Sequence, residues 1–174
     1  MFAITGTPGV GKTTVAKVLE SRGYRVAHFN EIARHYGCVD EGNDTVEIDL
    51  DLLAELFNPD EFNFDFVEGH MSHYIADRCA VLRCRPDVLE RRMRERGWDE
   101  KKILENLEAE IIDYVLVEAM EICDEVNETD TTFMSPEEVS DTVEHIFKGE
   151  LNQPPGKIDW IRELGEEIER YLKL

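Results

Sequence analysis

Two rhythms of apolar and polar positions alternate along this chain: short apolar runs bounded by turn residues, and longer stretches where apolar residues return at helical spacing. Phe2 to Thr5 is such a run and reads as a buried strand that meets Gly6 at once. Thr13 to Arg22 carries Val15, Ala16, Val18 and Leu19 on a helical repeat and stops at Gly23. Tyr24 to Phe29 reads as a second strand, and Asn30 as the cap of a short helix that runs to Tyr36 and ends at Gly37. Residues 37–48 are polar and acidic and read as a loop, after which Asp49 caps a helix over Leu50 to Phe57. Phe64 to Val67 and Cys79 to Arg83 are further strands, the first leading into Glu68-Gly69-His70. Pro86 opens a helix that reaches Arg96 and breaks at Gly97. Ile103, Leu107, Ile111 and Val115 predict one long helix over 99–123, and Thr131 to Met134 a last strand. Ser135-Pro136-Glu137-Glu138 is a capped helix start, with a run to about Phe147. Asn152 to Gly156 is a linker, and Ile158, Ile161, Leu164 and Ile168 give an amphipathic terminal helix over 157–174.

Strands that alternate with helices imply an α/β fold: three layers, a mostly parallel five-stranded sheet, and helices on both faces. A length of 174 residues suits a single domain. No apolar run approaches a membrane span, and Met1 to Thr5 lacks the basic flank of a signal peptide, so the expected location is the cytoplasm. Cys38, Cys79, Cys84 and Cys123 form no Cys-x-x-Cys pair and are expected to be small hydrophobes. The net charge of −20 repels nucleic-acid phosphate, so direct nucleic-acid binding is not expected. A basic protein partner, magnesium, or a salty cytoplasm would each suit that charge.

The densest chemistry lies in Gly6-Thr7-Pro8-Gly9-Val10-Gly11-Lys12-Thr13, which fits the P-loop pattern at every fixed position, with a strand before it and a helix after. Glycines let backbone N–H groups close around phosphate oxygens, and the helix N-terminus adds partial positive charge. Gly9, Gly11, Lys12, Thr13 and Thr14 are therefore the candidate ATP-binding residues. Lys12 would reach the β- and γ-phosphates, the Thr13 hydroxyl would ligate Mg2+, and Thr14 would approach the α-phosphate. The fold is then that of a P-loop NTPase.

Such a site also uses a carboxylate that organises the Mg2+, directly or through water, at the end of a neighbouring strand. Glu68 is the candidate, with mid-strand Asp65 the poorer competitor and an ordinary surface acid the alternative. His70, two residues on, is a candidate to orient an attacking water or an acceptor group, provided the extended backbone persists; a structural loop histidine is the alternative. His73 has less support, and His28, His35 and His145 have none. Arg85, Arg91, Arg92, Arg94 and Arg96 form a local basic cluster in an acidic chain. Arg96, beside the potential hinge Gly97, is the candidate to stabilise the moving phosphoryl group, with Arg92 on the same helix face. The alternative is a solvated face paired with Glu90, Glu95 and Glu100. Arg34 follows the second strand, where an acceptor phosphate or a surface ion pair would both suit it.

With these residues laid out, the chain resembles the atypical adenylate kinase family, known in animals as adenylate kinase isoenzyme six and also present in archaea. The resemblance covers about residues 1–148. It rests on Thr5 to Thr14, Ile32-Ala33-Arg34, Val67-Glu68-Gly69-His70, Val81-Leu82-Arg83, Arg96-Gly97-Trp98-Asp99-Glu100-Lys101-Lys102-Ile103, and Asn106 to Glu110. It implies a nucleoside-monophosphate kinase, ATP + AMP giving two ADP, with an ATPase activity in small ribosomal subunit maturation and a basic ribosomal protein as partner. It implies an acceptor region at about 28–51 that includes Arg34 as an AMP-binding residue, and a short lid at about 95–105 that includes Arg96. Two departures stand out: Glu68 where many members carry Asp, and a longer tail, which either covers the sheet or docks a partner. Ordinary adenylate kinases carry Gly-Lys-Gly-Thr and Asp-Gly-Phe-Pro-Arg where this chain has Gly11-Lys12-Thr13-Thr14 and Glu68-Gly69-His70. No Asn-Lys-x-Asp motif for guanine is present.

Overall fold

A computed structural model describes residues 1–41 and 46–172. In chain order the elements are β1 (Phe2–Thr5), α1 (Lys12–Ser21), β2 (Val26–His28), α2 (Phe29–His35), β3 (Val39–Glu41), β4 (Val46–Ile48), α3 (Leu50–Leu56) and β5 (Phe66–Glu68). There follow β6 (Arg78–Arg83), α4 (Pro86–Glu95), α5 (Glu100–Ile111), α6 (Tyr114–Ile122), β7 (Glu125–Asp130), α7 (Pro136–Phe147) and α8 (Trp160–Leu164).

Five strands form one sheet in the order β2-β5-β1-β6-β7, and every pairing in it is parallel. The central strand β1 is buried on both faces because successive side chains point to opposite sides. Phe2 and Ile4 join a core with Leu19, Leu82 and Met93, while Ala3 joins a second core with Val67, Val81 and Ala119. The chain leaves β1 toward β2 on one side and later fills β6 and β7 on the other. The C-terminal end of β1 is therefore the topological switch point, where sheets of this kind bind ligands.

Capping chemistry marks several helix starts as the sequence implies. Asp49, Asp99 and Ser135 each accept a backbone N–H in the first turn, and Ser135 with Glu138 completes a capping box.

Several elements differ from the sequence expectation. The long helix predicted over 99–123 is two helices, broken at Asp113, whose φ of 59° is left-handed. The apolar repeat runs through the break because Ile103, Leu107, Ile111 and Val115 are all buried, and a single left-handed residue leaves no trace in periodicity. The last strand is Glu125–Asp130, not Thr131 to Met134. It hides Asn127, Glu128 and Thr129 indoors, so it does not look like an apolar strand. Their partners come from the segment after α7. Gln153 donates its N–H to Asn127 Oδ1 at 2.7 Å, Thr129 Oγ1 donates to Gln153 Oε1 at 2.7 Å, and Gly156 donates its N–H to Glu128 Oε2 at 2.9 Å. Within the expected loop at 37–48, β3 and β4 pair antiparallel; residues 42–45 lie outside the described residues. Helix α2 begins at Phe29, with His28 rather than Asn30 at its N-cap. The terminal helix is short, Trp160–Leu164 followed by a 3-10 stretch to Arg170, and residues 173–174 lie outside the described residues. Trp160 and Tyr171 are both buried in the first core, so the tail covers the sheet. Among the described residues no helix is long and apolar enough to cross a membrane.

Candidate active site

The P-loop leaves β1 at the switch point and ends in α1. Gly6, Gly9 and Gly11 all have positive φ. At Gly6 a Cβ would lie 2.3 Å from the Leu82 carbonyl oxygen, so the loop is pressed against β6 and no side chain fits there. Lys12 opens α1 and is buried. Its Nζ donates to the carbonyls of Gly6 at 2.7 Å and Thr7 at 3.0 Å, which folds the ammonium back across the loop. Burial pushes the Lys12 pKa down to about 8; Glu68 and Glu110 oppose that shift and Arg96 adds to it.

This depression carries a pH prediction. Between about pH 8 and 10.5 the unfolded chain keeps the Lys12 proton and the folded one gives it up, so this group's contribution makes stability rise with pH across that window. Nucleotide binding has the opposite sign, because a polyphosphate favours the ammonium. ATP affinity measured by calorimetry is expected to be about tenfold weaker near pH 9 than near pH 7. Lys12→Arg, charged throughout, is expected to flatten that limb; a wild-type affinity that stays level to pH 9 would refute the depressed lysine.

Glu68 ends β5 and is buried, so it is not a surface acid. Its Oε2 accepts from Thr13 Oγ1 at 3.4 Å, which places the predicted hydroxyl and carboxylate together at the start of α1. Its Oε1 lies 2.7 Å from His28 Nδ1, and that hydrogen bond raises the His28 pKa. His28, which lacked support in the sequence, stands directly opposite Glu68 in the β2–β5 register. Asp65, the competitor, is bound by the backbone and guanidinium of Arg25.

His70 does not continue in register with Glu68. The strand ends at Glu68, and Gly69, with a φ of 155°, packs so close to Phe29 that a Cβ would lie 2.7 Å from the Phe29 Cβ. Glu68 therefore meets Thr13, while His70 lines a cavity with Thr7 and Pro8. Burial, and secondarily Lys12, lowers the His70 pKa and favours the neutral imidazole.

Two cavities touch the loop and share no lining residue. One, of about 270 Å3, is bounded by Gly9, Gly11, Thr14, Arg92, Arg96 and Met134. Arg92 on α4 and Arg96 at its C-cap, the predicted arginine pair, thus open onto the predicted loop residues. Arg92 also donates to the carbonyls of Val10 at 3.3 Å and Thr131 at 3.1 Å, tying the loop to the end of β7. The other cavity, of about 360 Å3, is bounded by Thr7, Pro8, His70, Tyr74, Asn106 and Glu118. Of the remaining cluster, Arg94 pairs with Glu90 and Glu100, and Arg85 with Asp87, all at the surface. Arg34 is exposed on the last turn of α2, outside the lining of either cavity. Sequence reasoning assigns no role to Tyr74 and Glu118 in the second cavity, or to Arg83 and Glu128, which sit in a buried ionic network behind the loop. The available signal for Arg83 was a charged residue closing an otherwise apolar strand; Glu128, in a polar strand, had none.

A parallel sheet with β1 at its centre, a phosphate-type glycine loop at the switch point and a cavity on each flank define a P-loop NTPase of the kinase-like kind. Residues 3–113 match the family model described as an AAA domain. A protein of Archaeoglobus fulgidus named "Putative adenylate kinase" is 46% identical, with 99% of this chain and 98% of that protein aligned. Proteins of the same name from Pyrococcus abyssi (40% identical, 100% and 98% aligned) and Methanothermobacter thermautotrophicus (45%, 92% and 96%) are also similar. Among solved structures, the YorR protein of Bacillus subtilis in complex with phosphorylated GDP aligns over 84% of this chain and 95% of its own, at 18% identity and a TM-score of 0.51. That likeness concerns the fold alone. The chain belongs to the family of archaeal proteins named "Putative adenylate kinase" that these relatives represent.

Proposed function

We propose that this protein transfers the γ-phosphoryl group of magnesium-bound ATP to AMP, giving two ADP, in the cytoplasm. The observation that carries this reading is the pair of separate cavities on one P-loop, since a kinase must hold a donor and an acceptor at once while an ATPase needs only the first. The cavity of Gly9, Gly11, Thr14 and Arg96 is assigned to ATP, and that of Thr7, Pro8 and His70 to the acceptor.

Lys12 leaves the Gly6 and Thr7 carbonyls to neutralise the moving phosphoryl group, and Arg96 adds charge from α4. His70, neutral and lining the acceptor cavity, accepts a hydrogen bond from the acceptor or its water. Arg34, from the acceptor region, is assigned to the acceptor phosphate and would have to approach it as the site closes. Magnesium fits the donor set: Thr13 Oγ1 and Glu68 Oε2 lie together, and Mg2+ binds with one or two carboxylates, phosphate oxygens and water rather than an all-protein cage. When bound it supplies positive charge to the phosphates. The side chain of Glu68 is one methylene longer than that of Asp, and that added reach sets whether its carboxylate meets the ion directly or through water.

A second reading has support in the net charge of −20: ATP hydrolysis that times release of a basic small-subunit ribosomal protein during ribosome maturation. The two readings part on AMP. ADP formation from ATP and Mg2+ is expected to rise severalfold or more on adding AMP. A slow rate that ignores AMP and falls in His70→Ala would replace the kinase with the ATPase switch.

A further inference from the structure

Glu110, near the end of α5, is a buried carboxylate that the reaction above does not use. Its Oε1 accepts from three donors: Arg83 Nε at 2.8 Å, the Trp160 indole Nε1 at 3.0 Å, and the Cys84 backbone N–H at 3.1 Å. Its Oε2 accepts from Thr7 Oγ1, inside the P-loop. An ionised carboxylate has about two lone-pair sites on each oxygen, so Oε1 is fully engaged by the scaffold and Oε2 is committed to Thr7. The arrangement is also asymmetric. Three donors from the scaffold fix one oxygen, and that fixes where the other oxygen holds Thr7. The Thr7 carbonyl is in turn one of the two that hold Lys12.

Trp160 brings in the tail. Its ring is buried, the Arg83 guanidinium lies 5.9 Å from its centroid, and the segment before it bonds to Asn127 and Glu128 on β7. A segment beyond the P-loop kinase core thus donates to the same carboxylate that holds the phosphate loop.

We propose that Glu110 is a positioning residue for the P-loop and that Trp160 makes the C-terminal segment part of this support, so that tail docking and ATP binding favour each other. Reciprocity follows from linkage: whatever the docked tail adds to nucleotide affinity, bound nucleotide adds to tail docking. The inference rests on the loop being the ATP site and is independent of the acceptor.

The test uses full-length protein and ATP–Mg2+ without AMP, read by calorimetry beside a thermal melt. Thr7→Val removes the hydroxyl donor with little change of shape and is expected to weaken ATP binding about tenfold, the effect of one charge-assisted hydrogen bond. Thr7→Ser restores the donor and is expected to stay within about twofold of wild type. Trp160→Phe keeps an aromatic side chain but drops the N–H and one ring, so the melt should fall as well, with an expected weakening of ATP binding of about threefold. In a Trp98→Phe background Trp160 is the remaining tryptophan, and its emission is expected to shift on saturation with ATP. Variants that melt lower yet bind ATP like wild type would reduce Glu110 to a structural role and overturn the proposal. A deficit in Thr7→Val with none in Trp160→Phe, and no emission change, would overturn the tail's part. A wild type that binds ATP but ignores AMP would count against the kinase reading alone.

Discussion

Lys12→Ala is expected to lower AMP-dependent ADP formation by about a thousandfold while leaving the fold close to wild type in stability. Removing one preorganised donor from a site where charge develops typically costs a factor of about a hundred to a thousand. Lys12 should lie at the upper end, because it is a full charge in a buried site rather than a neutral donor. The stability half of the prediction comes from the same burial. The ammonium is held against two carbonyls with its pKa down at about 8, so the folded chain disfavours its charge. Alanine relieves that cost, while the carbonyls of buried Gly6 and Thr7 lose this donor, so the two effects offset. The check is a coupled ADP assay beside a circular-dichroism melt. A loss under about tenfold would remove Lys12 from phosphoryl transfer, and a much lower melting temperature would mean that the activity loss had reported unfolding.

The parts of this site that could be read from sequence are those carried by local chemistry. Gly6 to Thr13 is a continuous motif whose geometry needs only a strand before it and a helix after. The caps at Asp49 and Ser135 are likewise local. Glu68 was legible because it follows an apolar run. Its partner His28 was not, since the contact arises from the parallel register of β2 and β5 across 40 positions. His70 was assigned by extrapolating a strand that stops at Glu68, where the close approach of Gly69 to Phe29 turns the chain. Its place in the other cavity is a tertiary result. The same holds for β7. A strand with buried Asn127, Glu128 and Thr129 lacks an apolar signature because polar partners arrive from Arg83 and from residues 153–157. The amphipathic pattern of the tail was legible and its target was not. Trp160 is buried in the core and donates to a carboxylate fifty positions away.

The largest stability effect is expected at Arg83, again a residue that local sequence reasoning passes over as the end of a strand. Its guanidinium is 2% exposed. It donates to Glu110 Oε1 and Glu128 Oε1, both at 2.8 Å, to the Glu110 carbonyl at 2.9 Å, and to Asp113, whose left-handed backbone separates α5 from α6. Burial disfavours its charge, yet Glu110 and Asp113 more than offset that and raise its pKa. Arg83→Met would keep much of the volume but strand two buried carboxylates, and breaking such a pair on one side costs about 3–5 kcal/mol. That is a large share of the roughly 5–15 kcal/mol of a typical domain. The denaturant midpoint should fall accordingly with little change in slope. Because Glu110 also holds Thr7, the variant should bind ATP poorly, and saturating nucleotide should recover only part of the lost stability. Arg83→Met combined with Glu110→Gln separates charge from packing. If stranded charge dominates, the pair should lose clearly less than the sum of the two single changes. If the losses simply add, the network matters through its packing, and Glu110 is held in place by the apolar core around it rather than by Arg83.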